Sequence, residues 1–215
     1  WLYTTTFSPD LDEVFTQVTT IENITIAENI PIQIFENAVV KAPTAMELGP
    51  NNELYVSGAQ GAIWMIQDTN QDNVADNVIE FAQGLNQPEG LAWGNNGLYI
   101  NESGRLIFMK DTDGDYVADE TTVILDGFPG EQYAFHQNNG LTFGPDGRLY
   151  IGSGSTTDHR PEESPMAARI FSINPDGTDL QVYATGVRNP FGLIPAPGGG
   201  FFAVDNGSSG CVDTE

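Results

Sequence analysis

One pattern recurs four times along the chain, and it constrains the fold more than any other feature. Met46-Glu47-Leu48-Gly49-Pro50 leads into Leu54-Tyr55-Val56-Ser57, and Leu91-Ala92-Trp93-Gly94 leads into Leu98-Tyr99-Ile100-Asn101. Leu141-Thr142-Phe143-Gly144-Pro145-Asp146-Gly147 leads into Leu149-Tyr150-Ile151-Gly152. A degenerate copy starts at Leu193 and passes through Gly198-Gly199-Gly200 to Phe201-Phe202-Ala203-Val204. From Met46 the starts step by 45, 50 and 52 residues. A period of roughly 20–50 residues marks a repeat architecture, in which each unit buries its apolar face on the next.

Each copy reads as a short strand, a Gly/Asn/Pro turn and a second short strand, which is hairpin chemistry. A third strand follows at 62–66, 105–109 and 169–173, and a fourth at 78–81, 122–125 and 181–184. Four short strands per repeat, with no long segment of 3.6-residue apolar period, predict an all-β chain of β-propeller blades. Three blades are complete and a fourth has its first two strands. The segment 32–35 resembles a fourth strand ahead of the first full copy. The expected organisation is a polar lead-in or edge strand over 1–30 and propeller blades over 31–215. Such an arc needs further blades or another chain to close its ring, because a closed ring is what protects blade edges.

Composition narrows the partners. Thirty acidic residues against seven Lys and Arg give a formal charge of −23. Seven scattered cations cannot form the basic stripe that nucleic acid or an anionic membrane requires. No apolar run approaches the roughly 18 residues of a membrane helix. The acidic balance suits an extracellular or periplasmic setting. Cys211 is the single cysteine, so no disulfide forms within the chain. Asn-x-Ser/Thr sequons stand at Asn23, Asn101 and Asn206, where chance and glycosylation are both open.

Two similar acidic loops separate third and fourth strands. Asp68, Asn70, Asp72 and Asp76 hold positions 1, 3, 5 and 9 of the first, and Asp111, Asp113, Asp115 and Asp119 hold those of the second. Oxygens so spaced can converge on Ca²⁺, with carbonyls and water completing six to eight ligands. The loops are not EF-hands, since strands flank them and position 12 carries no glutamate. A solvated acidic turn is the alternative.

Loops that lead into inner strands form the mouth of a propeller channel, where ligands collect. These read 40–43, 86–90, 134–140 and 188–192. One of the two histidines, His136, and one of the five arginines, Arg188, fall there. Histidine is a proton acceptor suited to neutral pH, and a guanidinium can hold a carboxylate or a developing oxyanion. A hydrogen-bonded loop histidine and an inter-blade salt bridge are the structural alternatives. The segment 153–165, containing His159, reads as an exposed loop near the mouth.

Residues 135–152, the run Ala168-Arg169-Ile170 with Asn174-Pro175-Asp176-Gly177, and the stretch 186–193 resemble the glucose/sorbosone dehydrogenases that use pyrroloquinoline quinone (PQQ). The resemblance covers about residues 78–210 and is moderately specific. It implies a six-bladed propeller with PQQ and Ca²⁺ at the channel mouth, acting on a sugar hydroxyl. It implies His136 as general base, Arg188 as stabiliser of developing charge, Asn189 and Gln87 as cofactor contacts, and Gly207 and Ser208 as carbonyl ligands to Ca²⁺. The chain departs from the family at Phe135, where an acid stands, at Gly140, where an arginine stands, and at Ser208, where a proline stands. The family's later blades carry the basic clamp for PQQ, so this chain is expected to hold at most half a cofactor site, completed by further blades or a partner, with a redox partner taking electrons. Two other readings stand beside it: a non-catalytic secreted calcium-binding recognition propeller, and a calcium-dependent lactonase using Glu47, Asn101 and Asp205.

Overall fold

The computed structural model describes residues 2–5, 32–36, 39–130, 136, 138–157 and 160–207. The described residues form sixteen strands and no helix. They are β1 (Leu2–Thr5), β2 (Ile32–Glu36), β3 (Pro43–Leu48), β4 (Leu54–Gly58), β5 (Ala62–Gln67), β6 (Asn77–Ala82), β7 (Gly90–Gly94), β8 (Gly97–Glu102), β9 (Arg105–Lys110), β10 (Glu120–Asp126), β11 (Asn138–Phe143), β12 (Leu149–Ser153), β13 (Arg169–Ile173), β14 (Gln181–Thr185), β15 (Pro190–Pro195) and β16 (Phe201–Asp205). They pair antiparallel as β3-β4-β5-β6, β7-β8-β9-β10 and β11-β12-β13-β14, flanked by the two-stranded sheets β1-β2 and β15-β16. This is the β-propeller expected from the repeat. The sequence pattern locates β2 but not its partner β1, whose register runs Leu2↔Glu36 to Thr5↔Ile32.

Turn chemistry explains the hairpins. Asn95 and Asn96 take φ of 53° and 57° between Gly94 and Gly97, the left-handed pair of a two-residue turn whose twist matches the strands. The longer turns close with Gly49 N–H on Glu53 O and Gly144 N–H on Arg148 O, both 2.8 Å.

The core lies between blades rather than within them. Tyr55, Ile63, Met65 and Phe81 of the first full blade meet Leu91, Leu98, Ile100 and Ile107 of the second. Ala92, Tyr99, Leu106 and Phe128 then meet Leu141, Leu149, Ile151, Phe171 and Ile173 of the third. Tyr150 and Ile170 meet Leu193 beyond it. Middle strands are therefore buried on both faces, and outer β10 is mostly exposed.

The recurring tyrosine fits this packing. Tyr55 stacks on Trp93 at 5.1 Å and Tyr99 meets Phe143 edge-on at 5.5 Å. These two second-strand tyrosines fill against an aromatic near the end of the next blade's first strand, whereas Tyr150 meets Phe201 at the start of the next blade's second strand.

Loops add a second inter-blade device. Ala118 N–H donates to Phe81 O (2.8 Å), and Ala75 N–H donates to Phe35 O (3.0 Å). The same bond at the same loop position makes β2 the outer strand of a preceding blade. Cross-strand register puts Met46 opposite Val56, on the face toward that blade, and Phe202 opposite Ile194, on the face away from the third. Met46, Ile194 and Phe202 are 58%, 66% and 66% exposed. These are the faces that a neighbouring blade covers elsewhere in the arc.

Candidate functional site

Inner strands β3, β7, β11 and β15 stand side by side and line an open cavity of about 380 Å³, one side of the channel. Their starts are stitched by asparagines. Asn138 Nδ2 donates to Asn101 Oδ1 and Glu102 O, while Asn138 Oδ1 accepts Gly104 N–H at 2.9 Å. Asn101 Nδ2 donates to Asn139 O at 2.9 Å, and Asn139 Nδ2 donates to Asn189 Oδ1. Asn101, Asn138, Asn139 and Asn189 are 0%, 0%, 1% and 8% exposed. Register shifts between Asn138 and Leu141, and between Pro190 and Gly192, interrupt the ladders here. A bulge leaves backbone groups unpaired, and carboxamides supply both donor and acceptor to satisfy them. Sequence reading took Asn189 as a cofactor contact and Asn101 as a metal ligand, and missed the chain joining them. The Asn101 sequon is no glycan acceptor in this fold, because its amide is buried and hydrogen-bonded on both atoms.

His136, Ser155 and Arg188 come together at the mouth. His136 Nδ1 lies 3.2 Å from Ser155 O, and Ser155 N–H donates to Arg188 O at 2.6 Å. A carbonyl only accepts, so this bond places the proton of a neutral imidazole on Nδ1 and leaves Nε2 as the base. Gly154 permits the approach, since a Cβ there would lie 2.4 Å from His136 O. Asp205 accepts the backbone N–H of Arg188 (3.0 Å) and of Asn189 (2.6 Å), and Arg188 Nη1 donates to Asn206 O at 3.1 Å. Arg188 is thereby set by hydrogen bonds at the blade junction rather than by an inter-blade salt bridge among the described residues. Gln87 is half-buried in the preceding mouth loop with φ of 47°. Gly207 is exposed at the end of β16. Ser208, Phe135, His159 and Cys211 lie outside the described residues.

The 153–165 loop is buried at its start and, as expected, largely exposed from Arg160 to Pro165. Ser153 is fully buried and Ser155 is 4% exposed. Ser153 Oγ donates to Met166 O, and Glu162 draws the loop inward by accepting Ser155 Oγ, Thr156 N–H, Thr156 Oγ1 and Thr157 Oγ1. Partial burial alone would raise the Glu162 pKa, but these hydrogen bonds outweigh it and lower it overall.

Glu47 and Glu89 line the channel. Burial raises both pKa values, opposed at Glu47 by the Trp93 N–H. Asn101 and Asp205 are engaged as described, so the three lactonase candidates serve separate structures.

Both acidic loops share one wiring. In the first, Asp68 accepts Gln71, Asp72 and Asn73 N–H, Asp72 accepts Val74 N–H, Asn70 Oδ1 accepts Asp72 N–H, and Asp76 accepts the Thr69 N–H and hydroxyl. In the second, Asp111 accepts Asp113, Gly114 and Tyr116 N–H, Asp115 accepts Val117 N–H, and Asp119 accepts Thr112 N–H and hydroxyl. Asp111, Asp113 and Asp115 each offer an oxygen within 4.8 Å of the others. Repulsion from Asp115 and then Asp119 raises the Asp113 pKa, whereas the Thr112 hydrogen bonds lower that of Asp119. Exposed acidic groups often cluster without a cation, so the geometry permits Ca²⁺ in the second loop without requiring it.

Blades of four antiparallel strands around a lined channel define the chain as a β-propeller. It belongs to the DUF7133 family, a domain of unknown function matched over residues 19–213. No curated protein matches it significantly. Among solved structures, the PQQ-bound aldose sugar dehydrogenase of Streptomyces coelicolor is similar at 20% identity and TM-score 0.60, over 76% of this chain and 56% of that one. The PQQ domain of pyranose dehydrogenase from Coprinopsis cinerea is similar at 12% identity and TM-score 0.68, over 79% and 45%. A nidogen/laminin complex also matches, at 18% identity and TM-score 0.58, over 76% and 56%. The chain thus spans about half the length of these neighbours, and the likeness is one of fold. No helix among the described residues is long and apolar enough to cross a membrane.

Proposed function

We propose that this chain contributes the His/Arg half of a PQQ- and Ca²⁺-dependent sugar dehydrogenase site in an extracellular or periplasmic protein, with further blades or a partner chain supplying the rest. The observation that carries the reading is Ser155, whose carbonyl takes His136 Nδ1 and whose N–H binds the Arg188 carbonyl. One residue thus couples the candidate base to the candidate charge stabiliser.

The residues present fit the reacting edge of a quinone in chemical type. Asn189 has its oxygen committed to Asn139, which leaves its amide nitrogen as the donor to a carbonyl oxygen. Arg188 brings fixed positive charge to the same loop. His136 Nε2 takes the proton of the sugar hydroxyl. The cofactor, when bound, supplies the two-electron acceptor for the hydride of the same carbon. Ca²⁺ held by carbonyls near Gly207 and Ser208 would act as a Lewis acid there. A redox partner would reoxidise the site.

The test is dye reduction by the native protein supplied with PQQ and Ca²⁺ and an aldose, beside a PQQ titration followed by tryptophan fluorescence. His136→Asn should lower turnover by about 10²–10⁴-fold, the usual span for a general base, while PQQ still binds. Absence of PQQ binding, or an unimpaired variant, overturns the reading.

A calcium-stabilised recognition propeller is the second reading, favoured by the similar wiring of the two acidic loops. It expects calcium-dependent stability with no sugar-dependent reduction.

A further inference from the structure

We propose that Glu162 is a positioning residue for the candidate base: it fixes the Ser155 carbonyl, and through that carbonyl it holds the His136 proton on Nδ1. The catalytic meaning of this role rests on the dehydrogenase reading, whereas the placement of the proton does not.

Loop length sets the third blade apart. Second and third strands are joined by residues 59–61 in the first full blade, 103–104 in the second and 154–168 in the third. Hairpin connections usually take roughly two to five residues. Ordering a much longer loop costs conformational entropy at every residue, so the loop needs bonds of its own.

Glu162 supplies them. It accepts Ser155 Oγ on Oε1, and Thr156 N–H (3.0 Å) and Thr156 Oγ1 (2.6 Å) on Oε2. Thr157 Oγ1, 3.1 Å from Oε1, shares its proton with Arg160 O at 2.6 Å. These donors follow directly on Gly154, against which the His136 backbone packs. Ser155 is held on three sides. Its N–H donates to Arg188 O at 2.6 Å, its hydroxyl donates to Glu162 and accepts Thr157 N–H at 3.1 Å, and its carbonyl accepts from His136 Nδ1 at 3.2 Å. Arg160 and Arg169 share a cavity lining with Glu162 but form no salt bridge with it among the described residues. Hydroxyls and an amide hold the carboxylate instead, and its role is geometric.

A neutral imidazole carries its proton on either nitrogen, and the partner of one nitrogen decides which. A carbonyl that swings away from Nδ1 lets the proton pass to Nε2, the atom that must be empty to accept one from a substrate. A misplacement of about 1 Å can cost about 10²-fold in rate. Glu162→Gln keeps the size of the side chain, but an amide has one accepting oxygen where a carboxylate has two. Whichever way it turns, Thr156 N–H or the Ser155 hydroxyl proton loses its acceptor.

Ring nitrogen chemical shifts of His136 read the tautomer. They are measured on the native protein without cofactor at about pH 8.5, two units above the usual histidine pKa, and His136→Asn assigns the signals. The parent should carry its proton on Nδ1. Glu162→Gln should shift the tautomer ratio about tenfold toward Nε2–H, the scale of one lost hydrogen bond. Ser155→Ala leaves every charge in place and should shift it in the same direction. Ser153→Ala, which breaks the bond to Met166 O in the same loop, should not. Melting temperatures accompany each variant, and Ser155→Ala carries the test where Glu162→Gln does not fold. With PQQ, Ca²⁺ and an aldose, Glu162→Gln should lower kcat about tenfold or more and leave KM within about threefold. A parent protonated on Nε2, an unmoved tautomer in Glu162→Gln or Ser155→Ala, or an equal shift in Ser153→Ala overturns the proposal. Sugar oxidation by the parent with no tautomer shift in the variants would sink this inference alone. A shifted tautomer in a protein that neither binds PQQ nor oxidises sugar would sink the dehydrogenase reading and keep the positioning role.

Discussion

Replacing Asn139 by alanine removes the link that ties β11 to the Arg188–Asn189 loop. Asn139 Nδ2 donates to Asn189 Oδ1, and Asn139 Oδ1 accepts the Gly140 N–H at 2.8 Å. Gly140 falls within the register shift of β11, where the ladder to β12 is interrupted. Truncation therefore strands two polar groups in buried residues. Each unpaired group costs about 1–3 kcal/mol, so the expected loss is about 2–6 kcal/mol. Against a typical stability of about 5–15 kcal/mol the variant still folds. Urea unfolding followed by Trp64 and Trp93 fluorescence reads the change, with an unaltered slope confirming a like-for-like comparison. Asn189→Ala and the double variant complete a cycle, in which coupling should reach about 0.5–3 kcal/mol. A single-variant loss below about 0.5 kcal/mol together with zero coupling would refute the view that carboxamides hold the blades in place, and would leave that task to apolar packing and the loop backbone bonds.

Three further outcomes are expected. Burial raises the folded pKa of Glu47 and Glu89, so below the ordinary glutamate value of 4.5 both states are protonated and nothing is lost. As pH climbs past that value the unfolded chain releases protons first, and stability falls until the raised folded values are passed. Melting curves of Glu47→Gln and Glu89→Gln between pH 4 and 7 should fall less steeply than the parent's, and parallel curves would contradict this. Asp113→Asn relieves repulsion from Asp115 and Asp119, so it should raise the calcium-free melting temperature and shrink any calcium-induced rise. The opposite pattern would show that Asp113 neither repels nor ligates. Gly90→Ala places a Cβ 2.1 Å from the Asn139 carbonyl, an atom of the adjacent inner strand. It should destabilise by about 1–3 kcal/mol or more in the same urea assay, and a neutral result would mean the inner strands are less close than described.

The blades could be read from the sequence because hairpin turns and paired strands are local. Gly94-Asn95-Asn96-Gly97 specifies its own backbone, and Leu98-Tyr99-Ile100 its own strand. β1 escaped because its partner β2 is remote in sequence rather than the other arm of a short hairpin. The tyrosines were visible as a repeat, but their use was not, since Tyr55 meets Trp93 only when a neighbouring blade is in place.

The candidate site divides along the same line. His136 and Arg188 stood out because cations and histidines are scarce in an acidic chain. Asn138 and Asn139 did not, nor did the chain that joins them to Asn101 and Asn189, because asparagine is common here and serves turns, caps and ligation alike. Yet Asn138, Asn139 and Asn189 fall at the starts of inner hairpins whose ladders are interrupted there, and Asn101 ends the regular ladder between them. Asparagine repeated at the channel-mouth end of successive blades is therefore a signal in its own right. It marks where blade contact becomes hydrogen bonding, and that is the rim on which His136 and Arg188 sit. The start of the 153–165 loop shows the converse. Its serines look like those of any polar loop, and only the fold that sets Ser153 Oγ on Met166 O and Ser155 Oγ on Glu162 buries them beside His136 and Arg188.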